Sequence, residues 1–262
     1  MSPNIIEVND VSVWFGDFNA VSDLSFSISE GSRVAILGRT GAGKSTLLNL
    51  LVGNLEPTSG TVRVAGHDPV RERRELQGLL SMAYQSPRLL PWRTARENVE
   101  VGMEILRVPK AERRERAEHW LRMVHLDNAG DRYPAQLSGG MRQRTSLARA
   151  FAIGPRLIFL DESFSALDEV TAKGLRADFV TMSEESSVSA VIVTHSIEEA
   201  FEIADRVLVF GRPARILGDF DAAEVRRKHG DNFLPFREHI HQMMVDAEKA
   251  DAEAEAKSLV ES

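Results

Sequence analysis

The chain has 262 residues, of which 43% are hydrophobic and 27% charged, so its composition excludes a disordered protein and indicates a folded domain with a sizeable core. No apolar run approaches the ~20 residues that a membrane-spanning helix needs, and the N-terminus lacks the pattern of a secretory signal. The net charge of −7 argues against binding of nucleic acid by bulk positive charge, and the lack of cysteine excludes disulfides and thiolate metal sites.

Strand and helix patterns alternate along most of the chain. Alternating apolar residues predict two strands within the first thirty residues, and SRVAILG predicts a buried strand before a helix over about residues 44–52. Later strands are predicted at GTVRVAG, RLIFLD, SAVIVTH, RVLVFG and ARILGDF. Strands that alternate with helices form parallel sheets, so this order predicts an α/β fold with a mostly parallel core sheet.

Two stretches depart from this alternation. Residues 87–153 read as almost entirely helical, which predicts an inserted helical subdomain within a domain spanning residues 5–230. Residues 231–262 are expected to form a last helix, from about Leu234, and a partly disordered acidic tail. The end of this tail, DAEKADAEAEAKSLVES, is rich in alanine and glutamate and is predicted to carry no chemistry.

The segment GRTGAGKST, at residues 38–46, matches the phosphate-loop pattern G-x-x-x-x-G-K-S/T, with a predicted strand before it and a helix after it. Its glycines allow the backbone to wrap around phosphates, and the amides and dipole of the helix start attract negative charge. We expect Lys44 to reach the β- and γ-phosphates of a nucleotide and Ser45 to bind Mg²⁺.

The apolar strand LIFLDE ends in a pair of acids, Asp161 and Glu162. Beside a phosphate loop, the first acid of such a pair commonly holds Mg²⁺ through water. The second lies one residue further along, where it can polarise a water molecule for attack on the γ-phosphate. We therefore expect Asp161 to act at the metal and Glu162 as the general base.

Two adjacent glycines stand at the start of the amphipathic segment LSGGMRQRTSLARA. Glycine inside a helix is less favourable than alanine by ~1 kcal/mol, so Gly139 and Gly140 suggest that another group approaches the backbone closely. Ser138 is also a suitable N-cap for the helix that follows.

Together these segments resemble the ATP-binding cassettes of ABC transporters. LSGGMRQR resembles the signature motif of that family, MAYQ offers Gln85 as its Q-loop glutamine, SALD resembles the D-loop, and VIVTHSIEEA offers His195 as the switch histidine. Near the N-terminus, WFG offers Phe15 for stacking on adenine, although neighbouring Trp14 is an alternative. The resemblance extends over about residues 5–217.

The resemblance implies a P-loop NTPase with an N-terminal antiparallel β subdomain and an inserted helical subdomain. It implies that two copies pair head to tail, each ATP lying between the phosphate loop of one copy and the signature motif of the other. Gln85, Glu162, His195 and Lys44 are then catalytic, and Mg²⁺ is held by Ser45, Gln85 and Asp161. Asp168 links the copies. ATP is bound by Phe15, Gly38, Arg39, Thr40, Gly41, Ala42, Gly43, Lys44, Ser45, Thr46, Ser138, Gly139 and Gly140.

Two positions depart from the family pattern. Ser163 stands where many members have proline, which can change the stiffness of the loop. Met141 replaces a common glutamine and leaves the phosphate contacts of the signature motif intact.

The segment SPRLLPWRTARENV resembles importer cassettes of the nitrate, sulfonate and taurine group. This resemblance implies an ATPase subunit at the cytoplasmic face of the inner membrane that drives uptake of a small anion. Its partners are a second copy, membrane permease subunits and an extracytoplasmic substrate-binding protein, with no nucleic acid. Leu89, Leu90 and Trp92 either contact the permease or pack inside the helical subdomain. The alternative function is a soluble ATPase of the same fold that acts on nucleic acid or a protein assembly.

Overall fold

The computed structural model describes residues 3–230 and 232–261, with side chains up to Asp251. Its strands are β1 (Asn4–Phe15), β2 (Phe18–Ser29), β3 (Arg33–Leu37), β4 (Ser59–Val64), β5 (Leu80–Tyr84), β6 (Leu157–Asp161), β7 (Ser189–Thr194), β8 (Arg206–Gly211) and β9 (Arg215–Asp221). Its helices are α1 (Lys44–Leu51), α2 (Ala95–Ile105), α3 (Lys110–Met123), α4 (Gly139–Ala152), α5 (Glu169–Ser186), α6 (Ile197–Ile203), α7 (Ala222–His229) and α8 (Leu234–Glu261).

The chain divides into two compact units. The first unit contains the residues up to Arg73 and those from Ile192 onward, and the second contains Arg74–Val191. None of the helices in the described part of the chain is both long and apolar enough to span a bilayer.

In the first unit, β2, β1 and β4 form the antiparallel sheet that the sequence predicts near the N-terminus. β3 pairs in parallel with β8, which pairs in antiparallel with β9. The residues of β3 are buried from Val34 to Leu37, as expected for a central strand covered on both faces. This burial fixes the end of β3, from which the phosphate loop emerges.

In the second unit, β5 and β6 pair in parallel and β7 follows in the same sheet. Helices α2, α3 and α4 pack on one another and form the helical part. The α/β fold with an antiparallel N-terminal sheet and a mostly parallel core sheet is thereby confirmed.

The structure also contains elements that the sequence patterns do not predict, namely β5, α6 and α7. Strand β5 is short and interrupted by Ser81, whose hydroxyl donates to the carbonyl oxygen of Ala150 at 2.7 Å. Helix α7 is eight residues long, with five charged or histidine side chains in AAEVRRKH. Short elements with polar residues give a weak periodic signal, because tertiary contacts rather than periodicity stabilise them.

Candidate nucleotide-binding site

The predicted phosphate loop connects β3 to α1 in the first unit, and α1 begins at Lys44. The Lys44 side chain is only 6% exposed, and its Nζ donates to the carbonyl oxygens of Gly38 at 2.6 Å and Arg39 at 3.0 Å. The loop is therefore curled around its own lysine. Its amides precede a helix N-terminus, a geometry suited to binding phosphate.

The three glycines of this loop have different structural roles. A Cβ atom on Gly38 would lie 3.1 Å from the carbonyl oxygen of Phe210, and one on Gly43 would lie 2.6 Å from Cβ of Ala214. These two glycines are therefore required by the fold. Gly41, with φ of 89°, faces open space, so its missing side chain leaves room for a ligand.

The predicted switch histidine lies beside the start of the loop. The backbone N–H of Gly38 donates to the carbonyl oxygen of Thr194 at 3.3 Å, and His195 is the next residue along the chain. His195 is exposed, and Ser196 caps α6 directly after it by accepting from the N–H of Glu199. The first unit thus brings His195 and the phosphate loop to the same end of β3.

Aromatic side chains stand at the turn between β1 and β2. Phe15 and Phe18 flank the turn as a cross-strand pair, and both are exposed, as is Trp14. The guanidinium of Arg212 lies 5.5 Å from the ring centroid of Phe18. Phe15, exposed by 52%, retains a face suitable for stacking on a base, as does Trp14, so the choice between them remains a prediction.

In the second unit, the parallel register of β5 and β6 places Tyr84 opposite Asp161. Gln85 and Glu162 therefore follow at the same sheet edge. Nε2 of Gln85 donates to the hydroxyl of Ser165 at 3.3 Å, and that hydroxyl donates to the carbonyl oxygen of Glu162 at 2.8 Å. These contacts bring the predicted Q-loop glutamine, metal acid and general base together.

Glu162 adopts a left-handed backbone conformation with φ of 46°. This region disfavours residues with a Cβ atom, and strained residues of this kind cluster at functional sites. The strain supports the expectation that Glu162 is held for its chemistry.

Ser163, which departs from the family pattern, stabilises this same turn. Its side chain is buried, and its hydroxyl donates to the carbonyl oxygen of Ala83 at 2.9 Å. Proline could not make this bond, so the loop after Glu162 is tied to β5 by a side-chain contact instead of a fixed ring.

The signature segment forms the start of α4. Ser138 is the N-cap and accepts from the backbone N–H of Met141 at 3.2 Å. A Cβ atom on Gly140 would lie 2.8 Å from Cγ2 of Thr171, whereas one on Gly139 would meet nothing within 4 Å. Packing against Thr171 therefore already explains Gly140, whereas only Gly139 has open space in which a ligand could lie.

Asp168, at the end of the predicted D-loop, caps α5. Its carboxylate accepts from the backbone N–H of Thr171 at 3.0 Å. Hydrogen bonds from the side chain and backbone of Thr171 lower the pKa of Asp168.

Several residues that organise this unit were missed in the sequence. Nε2 of Gln143 donates to the carbonyl oxygen of Tyr84 at 2.9 Å, and Arg149 donates to the carbonyl oxygens of Pro87 and Arg88. Burial lowers the pKa of Arg149. In the sequence, Gln143 and Arg149 are polar residues within an amphipathic helix, and that pattern does not identify their partners.

Asn98 organises the segment that resembles importer cassettes. It is completely buried, its Oδ1 accepts from the N–H of Leu90 at 2.7 Å, and its Nδ2 lies within 3.1 Å of three backbone carbonyl oxygens, those of Leu90, Arg93 and Thr94. Leu89 and Leu90 are half-buried, while Trp92 is 70% exposed. The segment is therefore a fixed loop that presents a tryptophan on its surface.

The predicted site residues divide between the two units. Phe15, residues 38–46 and His195 belong to the first unit, and the second unit contains Gln85, Ser138, Gly139, Gly140, Asp161 and Glu162.

Comparison with known proteins identifies the class of this protein. Residues 21–165 match the ABC transporter family. The chain belongs to that family and is an ATP-hydrolysing cassette.

Among individual relatives, the sulfate/thiosulfate import ATP-binding protein of Synechococcus elongatus is 41% identical over 90% of this chain and 71% of its own length. The aliphatic sulfonates import ATP-binding protein of Mycobacterium avium is 37% identical over 86% of this chain and 84% of its own. The nitrate import ATP-binding protein of Synechococcus elongatus is 37% identical over 78% of this chain and 74% of its own length. Against four further sulfate/thiosulfate import proteins, the chain spans only 57–61% of their length.

Solved structures share the fold. A dimeric ATP-binding cassette in a post-hydrolysis state with ADP and Pi is 29% identical, with a TM-score of 0.72 over 83% of this chain and 98% of that one. The cbiO1 protein of Clostridium perfringens is 24% identical, with a TM-score of 0.80 over 92% of this chain and 98% of that one, which indicates a shared fold.

Proposed function

We propose that this chain is the ATPase subunit of a membrane importer and that it drives uptake of a small oxyanion. The observation that carries the proposal is the importer-like loop, which Asn98 fixes from inside while Trp92 stands 70% exposed. An exposed tryptophan on a rigid loop is a typical anchor for a protein partner. The relatives named for import of sulfate, sulfonates and nitrate support an oxyanion such as nitrate, a sulfonate or taurine as the transported solute.

The proposed ATP site uses residues of two copies paired head to tail. The amides of the phosphate loop and Lys44 bind the phosphates, and Phe15 stacks on the base. Gly139 has open space beyond its missing side chain, which admits the terminal phosphate of ATP bound to the partner. Ser138 and the dipole of α4 attract that phosphate.

The donor set fits Mg²⁺, which prefers oxygen ligands. Ser45 is exposed at the start of α1, while Gln85 and Asp161 stand together at one sheet edge. The bound ion would neutralise phosphate charge. Glu162 accepts a proton from the attacking water, and His195 contacts the γ-phosphate.

The importer proposal is tested by recovery of a permease. Tagged full-length chain, extracted from cell membranes in mild detergent, should bring down a multi-span membrane protein at the cytoplasmic face. Trp92→Ala should lose that protein but keep ATP hydrolysis, whereas Ile105→Ala, which removes another exposed apolar side chain, should keep both. Recovery with nucleic acid alone would favour the soluble ATPase instead.

The solute and the remaining partner are tested by uptake. Cells that lack this chain should regain uptake of one labelled anion when the wild-type chain is restored, and uptake should require an extracytoplasmic binding protein. The paired site is tested by Ser138→Arg, which should spare nucleotide binding to the monomer but abolish hydrolysis. Hydrolysis retained in that variant would rule out a shared site.

A further inference from the structure

Helix α8 is anchored to the first unit by an aromatic and aliphatic stripe at its start. Phe236, Ile240 and Met244 recur every four residues and are buried. The ring of Phe236 lies 5.1 Å from that of Phe201 in α6 and 5.6 Å from that of Phe220 in β9. Arg237 adds an ion pair at 2.9 Å with Glu198, three residues after the predicted switch histidine.

Further along α8, the same face becomes acidic. Continuing the four-residue spacing from Met244 leads to Glu248, and Asp251 lies one turn beyond it. Glu248 pairs with Arg39 of the phosphate loop, and Asp251 pairs with Arg215 at 2.8 Å. The inward face of α8 thus changes from apolar to anionic where it passes two arginines.

The contact reaches the phosphate loop through one residue. The side chain of Arg39 is held by Glu248, and its carbonyl oxygen accepts a hydrogen bond from Lys44. A cavity of about 360 Å³ separates the loop from the helix and is lined by Arg39, Thr40, Arg212, Met244, Glu248 and Asp251.

The acidic contact is weak compared with the aromatic anchor. Both Arg39 and Glu248 are nearly half exposed, and exposed ion pairs contribute little. Oδ2 of Asp251 is buried without a hydrogen-bond partner among the described residues, which opposes docking. The helix can therefore stay anchored at Phe236 while its acidic part separates from the loop.

We propose that the acidic part of α8 is a built-in restraint on the phosphate loop, in which Glu248 competes with nucleotide phosphates for Arg39 while Asp251, paired with Arg215, keeps α8 docked beside the loop. The proposal rests on the ATP site described above and adds its regulation. Phosphates are polyanions that attract the same guanidinium, so nucleotide binding and docking of α8 oppose each other. This coupling is reciprocal, and a partner that displaces α8 would raise nucleotide affinity.

The test uses the full chain and a fluorescent ADP analogue. Glu248→Gln should tighten binding about two- to fivefold, the range expected for an exposed ion pair. Asp251→Asn removes the charge paired with Arg215 and should change affinity in the same direction. The gain should shrink at 0.5 M salt, because ions screen exposed charges. Glu238→Gln removes the same charge from an exposed position earlier on α8 and should bind like the wild type.

A second readout does not depend on nucleotide. Hydrogen exchange at the amides of residues 39–43 should quicken in Glu248→Gln but not in Glu238→Gln. Unchanged affinity or weaker binding in both acidic variants would overturn the proposal, as would exchange equal to that of the wild type. Failure of the ATP site itself would look different, because the wild type would then bind no nucleotide at all.

Discussion

The side-chain amide of Gln143, inside α4, donates a hydrogen bond of 2.9 Å to the backbone carbonyl of Tyr84, the residue directly before Gln85. The helix that begins with the signature segment is therefore tied to the start of the predicted Q-loop. Arg149, six residues further along α4, donates to the carbonyl oxygens of Pro87 and Arg88 in the same loop. A shift of α4 would thus move the Q-loop with it.

Replacing Gln143 tests this tie. Gln143→Met keeps the length of the side chain but removes the donor, which leaves a carbonyl without its partner. We expect a loss of about 1–3 kcal/mol in the free energy of unfolding, measured by urea denaturation. Gln77→Met, at an exposed position in the same unit, should change stability by less than about 0.5 kcal/mol. Equal stability of the two variants would contradict a structural role for this bond.

Substitutions of Glu162 can distinguish the catalytic role of its carboxylate from the strain in its backbone. Glu162→Gln, Glu162→Ala and Glu162→Gly should all lower steady-state ATP turnover by at least about 100-fold, because each removes the proposed base. At φ of 46°, glycine is less strained than alanine, so Glu162→Gly should unfold with about 1 kcal/mol more free energy than Glu162→Ala. Unchanged turnover in Glu162→Gln would disprove the general-base assignment.

The two signature glycines should respond differently to alanine. Gly139→Ala meets no neighbour and should keep or raise stability by up to about 1 kcal/mol, while the added methyl group lowers ATP turnover. Gly140→Ala collides with Thr171 and should lose about 1–3 kcal/mol. Thr171→Ser removes the colliding methyl group and keeps the hydroxyl, so it should restore stability to Gly140→Ala. No rescue would show that Thr171 is not the obstacle.

The sequence predicts those parts of the site whose signal is local. The phosphate loop is a continuous stretch in which each residue has its role within nine positions, and the structure has the predicted strand, turn and helix there. The segment LIFLDE likewise predicts a buried strand with acids at its end. Residue order alone suffices in such segments, because strand and loop are neighbours in the chain.

The contacts that position the site could not be predicted in this way. Gln143 and Tyr84 are 59 residues apart, and Ser163 and Ala83 are 80 apart. The contact of Ser163 depends on the register of β5 against β6, and the contact of Gln143 depends on how α4 packs against β5. Strand β5 itself gives a weak pattern because of the polar Ser81. The contacts of the acidic face of α8 could not be predicted either. In the sequence its charges indicate a solvated helix, and only the structure places Arg39 and Arg215 beside it.

Asn98 should be essential for the importer-like loop. Asn98→Asp keeps the shape but turns a carboxylate toward three carbonyl oxygens, so we expect a loss of at least about 3 kcal/mol in unfolding free energy. Recovery of the permease should fall as well, because Trp92 loses its fixed position. Asn9→Asp makes the same change at an exposed site and should leave both measurements near wild type. If Asn98→Asp were as stable as the wild type, the hydrogen bonds of Asn98 would not be what fixes the loop.

Asp168 should give the cap of α5 a defined pH dependence. Hydrogen bonds from Thr171 lower its pKa in the folded state, so its contribution to stability is present above the unfolded pKa, about 3.9, and is lost as pH falls through the lower folded value. Asp168→Asn keeps a capping oxygen but does not titrate, so the stability of the wild type relative to this variant should be constant above about pH 5 and decline below about pH 4. Thr171→Val removes the donating hydroxyl, brings the folded pKa closer to the unfolded value and should therefore make that decline smaller. Urea unfolding measured between pH 7 and pH 3.5 follows the difference, and a decline that Thr171→Val leaves in place would show that the hydroxyl does not set the pKa.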